Sequence, residues 1–140
     1  MKLEVTVPGK AATGRPRIAA GGRGMYSTKP VKEFMAQVGT AVRIAMNQSG
    51  YEFPVPAGVP IAVMLDFFID WPKSTKKTLA ATEVLHYKKP DIDNLSKPVL
   101  DGISQANLWN DDNQNAQFYA EKKWCPQGQH RVEISISWSE

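Results

Sequence analysis

The sequence predicts an α+β fold: a single small domain in which a mixed sheet is backed by two main helices. The chain has 140 residues, of which 42% are hydrophobic, and this suits one domain with its own core. Apolar residues recur at three- and four-residue spacing in two segments and at every second position in others, which are the periods of helices and strands. Neither a repeat nor a linker interrupts the chain, so one domain is expected over residues 1–140.

The first half of the chain predicts a strand, a loop, a long helix and a second strand. Residues 3–7 alternate between apolar and polar, whereas residues 9–26 are rich in Gly, Arg and Lys, which is typical of a loop or a loose hairpin. Pro30 suits the first turn of an amphipathic helix expected over 30–48. Residues 61–69 are almost wholly apolar, which indicates a strand buried on both faces.

The second half predicts one firm helix and a strand pair. A short helix is possible over 74–85, and a helix with a regular apolar stripe is expected over 94–106. Residues 116–124 and 131–138 read as two strands, and residues 126–128 supply the turn between them. Helices and strands mixed in this order favour a sheet with helices packed against it.

The composition excludes several classes of protein. No apolar run approaches the roughly eighteen residues of a membrane span, and the first residues lack the apolar core of a signal peptide. The single cysteine, Cys125, excludes an intrachain disulfide and fits a reducing compartment. A cytoplasmic protein that makes no membrane contact is therefore expected.

Charge is distributed unevenly along a chain whose net charge is +3. Residues 1–43 hold eight basic groups and two acids, and residues 73–89 hold five lysines and one acid. Residues 90–121 instead hold six acids and one lysine. A basic surface around an acidic focus favours a polyanionic partner, of which nucleic acid is the commonest, although basic residues also serve solubility.

The acidic segment predicts a site for a divalent cation. Neighbouring carboxylates repel each other unless a cation lies among them, and Mg²⁺ held by carboxylate oxygens is the simplest resolution. Pro98 is tolerated near the start of a helix but not deep inside it, so the helix should begin close to Asn94. Asp93 would then be the N-cap, and Asp91 would lie in the extended segment before it.

Each acid also has an ordinary structural explanation. An aspartate N-cap is common, an ion pair between Asp93 and Lys97 on the surface stabilises by less than about 1 kcal/mol, and residues 110–113 make a good turn. Whether the acidic start of the helix meets the acidic start of the next strand depends on how the two pack. The sequence leaves that geometry open.

Other kinds of site fit poorly. A calcium-binding EF-hand loop that began at Asp91 would place Leu95 and Ser96 where an oxygen ligand and a glycine are required. Cys125 and the two histidines have no spacing known for zinc, so Cys125 is interpreted as a spare thiol and His130 as a turn residue. His86, which precedes two lysines closely, is a candidate phosphate contact. No glycine-rich phosphate loop precedes a helix. A Ser/His/Asp triad is not excluded, but no nucleophile-elbow pattern indicates one.

The acidic segment resembles the signature of the RusA family of Holliday-junction resolvases, small endodeoxyribonucleases of bacteria and their phages. The resemblance is carried by residues 90–103 (PDIDNLSKPVLDGI) and 108–114 (LWNDDNQ). Residues 5–10, 14–17 and 71–73 also look like that family. The resemblance thus touches most of the chain and implies a RusA-like fold.

The resemblance implies a homodimer that binds a four-way DNA junction and cuts two strands symmetrically with Mg²⁺, in DNA recombination and repair. Asp91, Asp93 and Asp112 match the family's metal-binding carboxylates, and Lys97 matches its catalytic lysine. No small-molecule cofactor is implied. The basic segments would contact DNA phosphates through Lys10, Arg15, Arg17, Arg23, Lys73, Lys76, Lys77, Lys88 and Lys89.

Three further positions qualify the resemblance. Asp101 and Asp111 match recurrent acids whose roles the resemblance does not assign. Gly102 stands where the family usually has a small helix former such as Ala, and this should weaken the helix by about 1 kcal/mol. Two other functions remain as alternatives: a nuclease for flaps or other branched DNA, and a DNA-binding protein without catalytic activity.

Overall fold

The computed structural model describes residues 1–13 and 28–139, together with the backbone of two short strands at 17–18 and 25–26. The elements in chain order are β1 (Lys2–Pro8), β2 (Arg17–Ile18), β3 (Met25–Tyr26), α1 (Lys29–Ser49), β4 (Ile61–Asp70), α2 (Lys77–Ala80), α3 (Ile92–Gln105), a 3₁₀ turn (Asp112–Gln114), β5 (Asn115–Cys125) and β6 (Arg131–Trp138). No helix among the described residues is both long enough and apolar enough to cross a membrane.

One mixed sheet organises the molecule, as the α+β prediction expects. Its strand order is β1-β6-β4-β5, with β5 parallel to β4 and the other neighbours antiparallel. The inward side chains of the strands and the apolar stripes of α1 and α3 form one buried cluster. The short strands β2 and β3 pair separately and antiparallel, consistent with the predicted loose hairpin. Residues 19–24, which lie between the two strands in the sequence, are outside the described residues.

The prediction that β4 is buried on both faces is wrong. Its inward side chains are buried, but Met64 on the outer face is 47% exposed. Asp66, the one acid in this apolar run, lies on that outer face beside Glu133 of β6 and Glu121 of β5. A central strand can therefore be nearly all apolar although only one of its faces is packed.

Helices α1 and α3 touch through two glycines. A Cβ atom on Gly102 would lie 2.8 Å from the carbonyl oxygen of Met35 and 2.9 Å from Cβ of Val38. Gly39 of α1 lies opposite, where an added Cβ would be 3.4 Å from the carbonyl oxygen of Gly102. The small residue at position 102 therefore allows the backbones to approach, which the sequence alone presented only as a loss of helix propensity.

The predicted start of α3 is wrong by two residues. The helix begins at Ile92, Asp91 is its N-cap in extended conformation, and Asp93 lies in the first turn. Pro98 consequently lies inside the helix, where it removes one backbone donor. Pro98 is itself buried with the apolar stripe of α3, and this packing outweighs the local preference that places proline at a helix start.

The segment before α3 does not form the helix proposed for 74–85. Only α2 is helical, and the chain then runs along the edge of β5. The amide of Trp124 donates to the carbonyl of Val84 over 2.8 Å, and the amide of His86 donates to the carbonyl of Lys122 over 2.9 Å. Backbone pairing with a distant strand therefore replaces the local hydrogen bonds of a helix.

Candidate functional site

The N-terminus of α3 presents two exposed carboxylates. Asp91 is the N-cap and Asp93 lies in the first turn, where the backbone N–H groups of a helix favour negative charge. The loop that leads into the helix is held from below by Lys122 of β5. The Nζ atom of Lys122 donates to the carbonyl of Pro90 over 2.7 Å and also to the carbonyl of Lys88. The loop that leads to Asp91 and to the first turn of α3 is thus anchored to β5.

Polar side chains continue along the exposed face of α3. Lys97 follows Asp93 by one helical turn and Asp101 follows Lys97 by another, as the sequence predicts. The Nζ atom of Lys97 lies 3.0 Å from a carboxylate oxygen of Asp101. This exposed pair contributes little to stability, but it holds the ammonium group over the middle of the face. Asp101 is therefore the ion-pair partner of Lys97, a role that the sequence did not predict.

Asp112 lies beside the C-terminal end of α3. Its Oδ1 accepts hydrogen bonds from Oγ of Ser104 over 2.7 Å and from Nε1 of Trp109 over 2.9 Å. These two bonds lower the pKa of Asp112, and the charge of Lys97 lowers it further although partial burial opposes the shift. Asp112 is therefore an ionised, oriented carboxylate at neutral pH.

The turn that carries Asp112 is fixed by a buried glutamine. Asp111 caps the 3₁₀ turn by accepting from the amide of Asn113 over 3.0 Å, and the side chain of Gln114 accepts from the amide of Asp111 over 3.1 Å. The Nε2 atom of Gln114 also donates to the carbonyl of Val59 over 3.2 Å. Asp111 thus has a structural role. Gln114 is a supporting residue that is absent from the sequence-based expectations, although the Asp-x-x-Gln spacing is typical of a capping box.

The two carboxylate groups lie at opposite ends of α3. Asp112 is bonded to Ser104, which lies about 16 Å beyond Asp93 along the helix at 1.5 Å per residue. Within the described residues, no group of three or more His, Cys, Asp or Glu side chains could hold a metal ion. The oxygen ligands suit a hard divalent cation, but a single chain brings only Asp91 and Asp93 to the same end of the helix.

The predicted DNA-contacting lysines are exposed, and two line cavities near the helix start. Lys89 lines one with Asp91 and Asn94, and Lys10 lines another with Pro90. Three more exposed lysines lie in and around α2, and a fourth follows Tyr87: Lys73, Lys76, Lys77 and Lys88. The side chains of three further candidates lie outside the described residues: Arg15, Arg17 and Arg23.

His86 is buried, so the suggested phosphate contact is wrong. The side chain is 5% exposed, and its ring centroid lies 3.8 Å from that of Trp124. Its Nδ1 accepts a hydrogen bond from the amide of Lys88 over 3.2 Å. Burial lowers the pKa of His86, and the charges of Lys122 and Lys88 lower it further. His86 is therefore a neutral structural residue.

Cys125 and His130, the other two residues considered as zinc ligands, also have structural roles. Cys125 is fully buried, and burial raises the pKa of its thiol to about 12. Nδ1 of His130 lies 2.9 Å from a carboxylate oxygen of Asp70, which also accepts from the amide of Gly128. His130 thus helps to close the turn between β5 and β6, in keeping with its interpretation as a turn residue.

A comparison with known protein families identifies one family that matches the sequence. The family model described as Endodeoxyribonuclease RusA matches residues 8–137, which is nearly the whole chain. No curated protein matches the sequence. Proteins of the RusA family are endonucleases that resolve Holliday junctions, and the matched region includes both acidic ends of α3. The chain therefore belongs to the RusA family of endodeoxyribonucleases.

Proposed function

We propose that the protein is a Mg²⁺-dependent endodeoxyribonuclease that resolves four-way DNA junctions by paired, symmetric hydrolysis of two phosphodiesters in DNA recombination and repair. The observation that carries the proposal is the exposed face of α3, which has Asp91 and Asp93 at one end, Lys97 in the middle and ionised Asp112 beside the other end. Membership of the RusA family supports the substrate class.

The separation of the acids supports a site shared between two chains. Because Asp112 is bonded to Ser104, which lies about 16 Å beyond Asp93 along α3, and the described residues of one chain form no group of three acids that could hold a metal ion, one chain supplies an incomplete set of ligands. A two-fold axis that crosses the exposed face of α3 would lay two such helices antiparallel. Asp112 of each chain would then lie beside Asp91 and Asp93 of its partner. Such a homodimer has two equivalent sites, as paired cuts in a nearly two-fold junction require.

The donor set of this shared site fits magnesium. Asp91, Asp93 and Asp112 supply carboxylate oxygens, which are the ligands that Mg²⁺ prefers, and its remaining positions suit water and phosphate. Magnesium bound there would lower the pKa of a coordinated water molecule and polarise the phosphoryl oxygens. The hydrogen bonds from Ser104 and Trp109 keep Asp112 deprotonated, so the chain presents an anionic ligand at neutral pH.

Lys97 has a separate role in this proposal. Its ammonium group is half exposed and is oriented by Asp101. A cation placed there would stabilise negative charge that develops on the phosphate or on the leaving oxygen. Because Lys97 carries no ligand for a cation, its contribution is to the rate and not to metal binding.

DNA binding would rest on the exposed lysines on both sides of the site. Lys10 and Lys89 line cavities next to the start of α3, and the lysines around α2 extend the basic surface. Each phosphate neutralised by a basic side chain releases condensed counterions, so the affinity for DNA should fall steeply as the salt concentration rises.

The test is incubation of the purified protein with an end-labelled four-way junction, with and without Mg²⁺. The expected result is a pair of nicks at symmetric positions in opposing strands, and none without the metal. Competition with flap and duplex substrates separates a junction resolvase from a general branched-DNA nuclease, which would lose its junction preference. A protein that binds the junction but cuts no DNA at any Mg²⁺ concentration would contradict the proposal and favour a non-catalytic binder.

A further inference from the structure

The loop of residues 86–90 is clamped to β5 at several points. The amide of His86 bonds to the carbonyl of Lys122, and the His86 ring packs against that of Trp124 at an interplanar angle of 34°. The amide of Lys88 bonds back to Nδ1 of His86 over 3.2 Å. Lys122 then holds the carbonyls of Lys88 and Pro90. Every second residue of this loop is therefore anchored by its backbone.

Tyr87 is the side chain that this clamp directs outward. It is 84% exposed, the largest exposed fraction among the large hydrophobic side chains of the described residues. Its neighbours on the same loop are cationic: Lys88 and Lys89 are exposed, and Nζ of Lys88 lies 6.0 Å from the centroid of the Tyr87 ring. A single exposed aromatic residue is ordinary, but this one lies on a fixed loop and is followed directly by two exposed lysines and then by a candidate active site.

The position of Tyr87 relates it to the proposed cleavage site. It precedes Asp91 by four residues, and Lys89 between them lines a cavity with Asp91 itself. If a DNA phosphate bound near Asp91 and Lys89, the bases of the nucleotides that it joins, or of their neighbours, would lie close to the Tyr87 ring. An apolar protein surface would fit poorly here, because it would have to bury the flanking ammonium groups.

We propose that Tyr87 stacks on a base that is unstacked at the branch point of the junction, and so contributes to the preference for branched over linear DNA. This inference rests on the proposed function. An aromatic side chain stacks on a base of any sequence because every base has a π-face. In a continuous duplex both faces of each base are covered by its neighbours, whereas a branch point can expose one. Lys88 and Lys89 would hold the adjoining phosphates.

The test compares junction and duplex affinity in EDTA, where the metal cannot support cleavage, for wild type and the variants Tyr87→Ala, Tyr87→Leu and Tyr87→Phe. Loss of the ring in the Ala and Leu variants should weaken junction binding by about fivefold or more and leave duplex binding unchanged, since the lysines remain. The Phe variant should keep the wild-type ratio of junction affinity to duplex affinity. Tyr119→Ala, which removes a half-exposed tyrosine from β5, is the matched control and should also keep it.

A second readout is the fluorescence of 2-aminopurine placed at the branch point. Wild type, Tyr87→Phe and Tyr119→Ala should change this fluorescence on binding, whereas the Ala and Leu variants should not. Unchanged junction-to-duplex ratios in both ring-deleted variants would overturn the inference, even if wild type cleaves the junction with Mg²⁺. Failure of wild type itself to cleave would instead overturn the proposed function, so the two outcomes are distinguishable.

Discussion

Ser104 and Asp112 are joined by a 2.7 Å hydrogen bond that ties the turn before β5 to the last turn of α3. This bond is the leading cause of the lowered pKa of Asp112. Ser104→Ala should therefore raise the pKa of Asp112 towards its ordinary value. If Asp112 must be ionised to bind the metal, the acid limb of the cleavage-rate profile should move to higher pH.

The profile should be measured at one fixed, sub-saturating Mg²⁺ concentration, at which protons still compete with the metal, for wild type, Ser104→Ala and the exposed control Ser74→Ala. The control should superimpose on wild type. An unshifted acid limb in Ser104→Ala, with normal activity at neutral pH, would show that the ionisation of Asp112 does not limit cleavage.

A site shared between two chains makes a distinctive prediction for mixed variants. Asp91→Asn and Asp112→Asn should each abolish cleavage when pure. In a mixed dimer, one of the two shared sites would combine the intact Asp91 of one chain with the intact Asp112 of the other. Mixing the two inactive proteins should therefore restore single-strand nicking of the junction.

The control is a mixture of Asp91→Asn with Asp93→Asn, whose affected residues belong to the same end of α3 and cannot complement. If every site were built within one chain, both mixtures would stay inactive. Nicking is measured on a labelled junction after the two proteins have exchanged subunits.

Lys97 should affect the rate of cleavage and not the affinity for metal. Lys97→Ala removes a cation that lies 3.0 Å from Asp101, and the loss of charge stabilisation at the phosphate should lower the rate about 100-fold or more, as for the loss of a comparable electrostatic group. The Mg²⁺ concentration at half-maximal rate should stay within about threefold of wild type. Asp101→Asn is the control for the ion pair, and its effect on the rate should be much smaller. Equal losses of rate and of metal affinity in Lys97→Ala would mean that the residue is structural.

Gly102 should be more sensitive to substitution than its helical neighbour Gly39. Alanine is the better helix former by about 1 kcal/mol, but its Cβ at position 102 would lie 2.8 Å from the carbonyl oxygen of Met35. Gly102→Ala should lower the free energy of unfolding by about 1–3 kcal/mol. Gly39→Ala, with its nearest contact at 3.4 Å, should be close to neutral. Urea unfolding of both variants measures the difference, and a stabilised Gly102→Ala would refute the tight approach of the helices.

The main elements could be predicted from the sequence because their burial patterns repeat at short range. The alternation in residues 131–138 and the spacing along α1 are properties of neighbouring residues, and both elements are present in the structure. The predicted start of α3 is wrong because the preference of proline for a helix start is local, whereas the burial of Pro98 depends on distant residues. The helix predicted over 74–85 is wrong for the same reason, since the later part of this segment pairs with β5.

The candidate site was predictable in composition but not in geometry. The acids gathered in residues 90–121 indicate a cation site, and the family resemblance singles out Asp91, Asp93 and Asp112 among them. No pattern in the sequence reveals that most of α3 separates the contact of Asp112 from the other two acids. That separation follows from the contact between Asp112 and Ser104, which joins two segments across the turn at Trp109. The supporting role of Gln114 was within reach of the sequence through its capping-box spacing.

Three neighbouring acids on the outer face of the sheet should make the stability of the fold depend on pH. The strand register places Asp66 between Glu133 and Glu121, and like charges directly opposite each other are destabilising. Burial raises the pKa of Asp66, and the hydrogen bond and charge of Glu121 raise it further, although Lys123 opposes them. A carboxyl group with a raised pKa in the folded state keeps a proton that the unfolded chain releases, so this group destabilises the fold as the pH rises through that range.

Asp66→Asn should therefore be more stable than wild type at pH 7, by up to about 1 kcal/mol, and the difference should shrink as the pH falls towards about 4, where an ordinary carboxyl group is half protonated. Thermal unfolding at several pH values measures it. The control is Glu4→Gln, which removes an exposed acid that is paired with Lys2 at 2.9 Å and should change stability little at either pH. Since the asparagine keeps the shape of the side chain and its amide can donate a hydrogen bond to Glu121, a lower melting temperature at pH 7 would mean that the charge of Asp66 is compensated by Lys123.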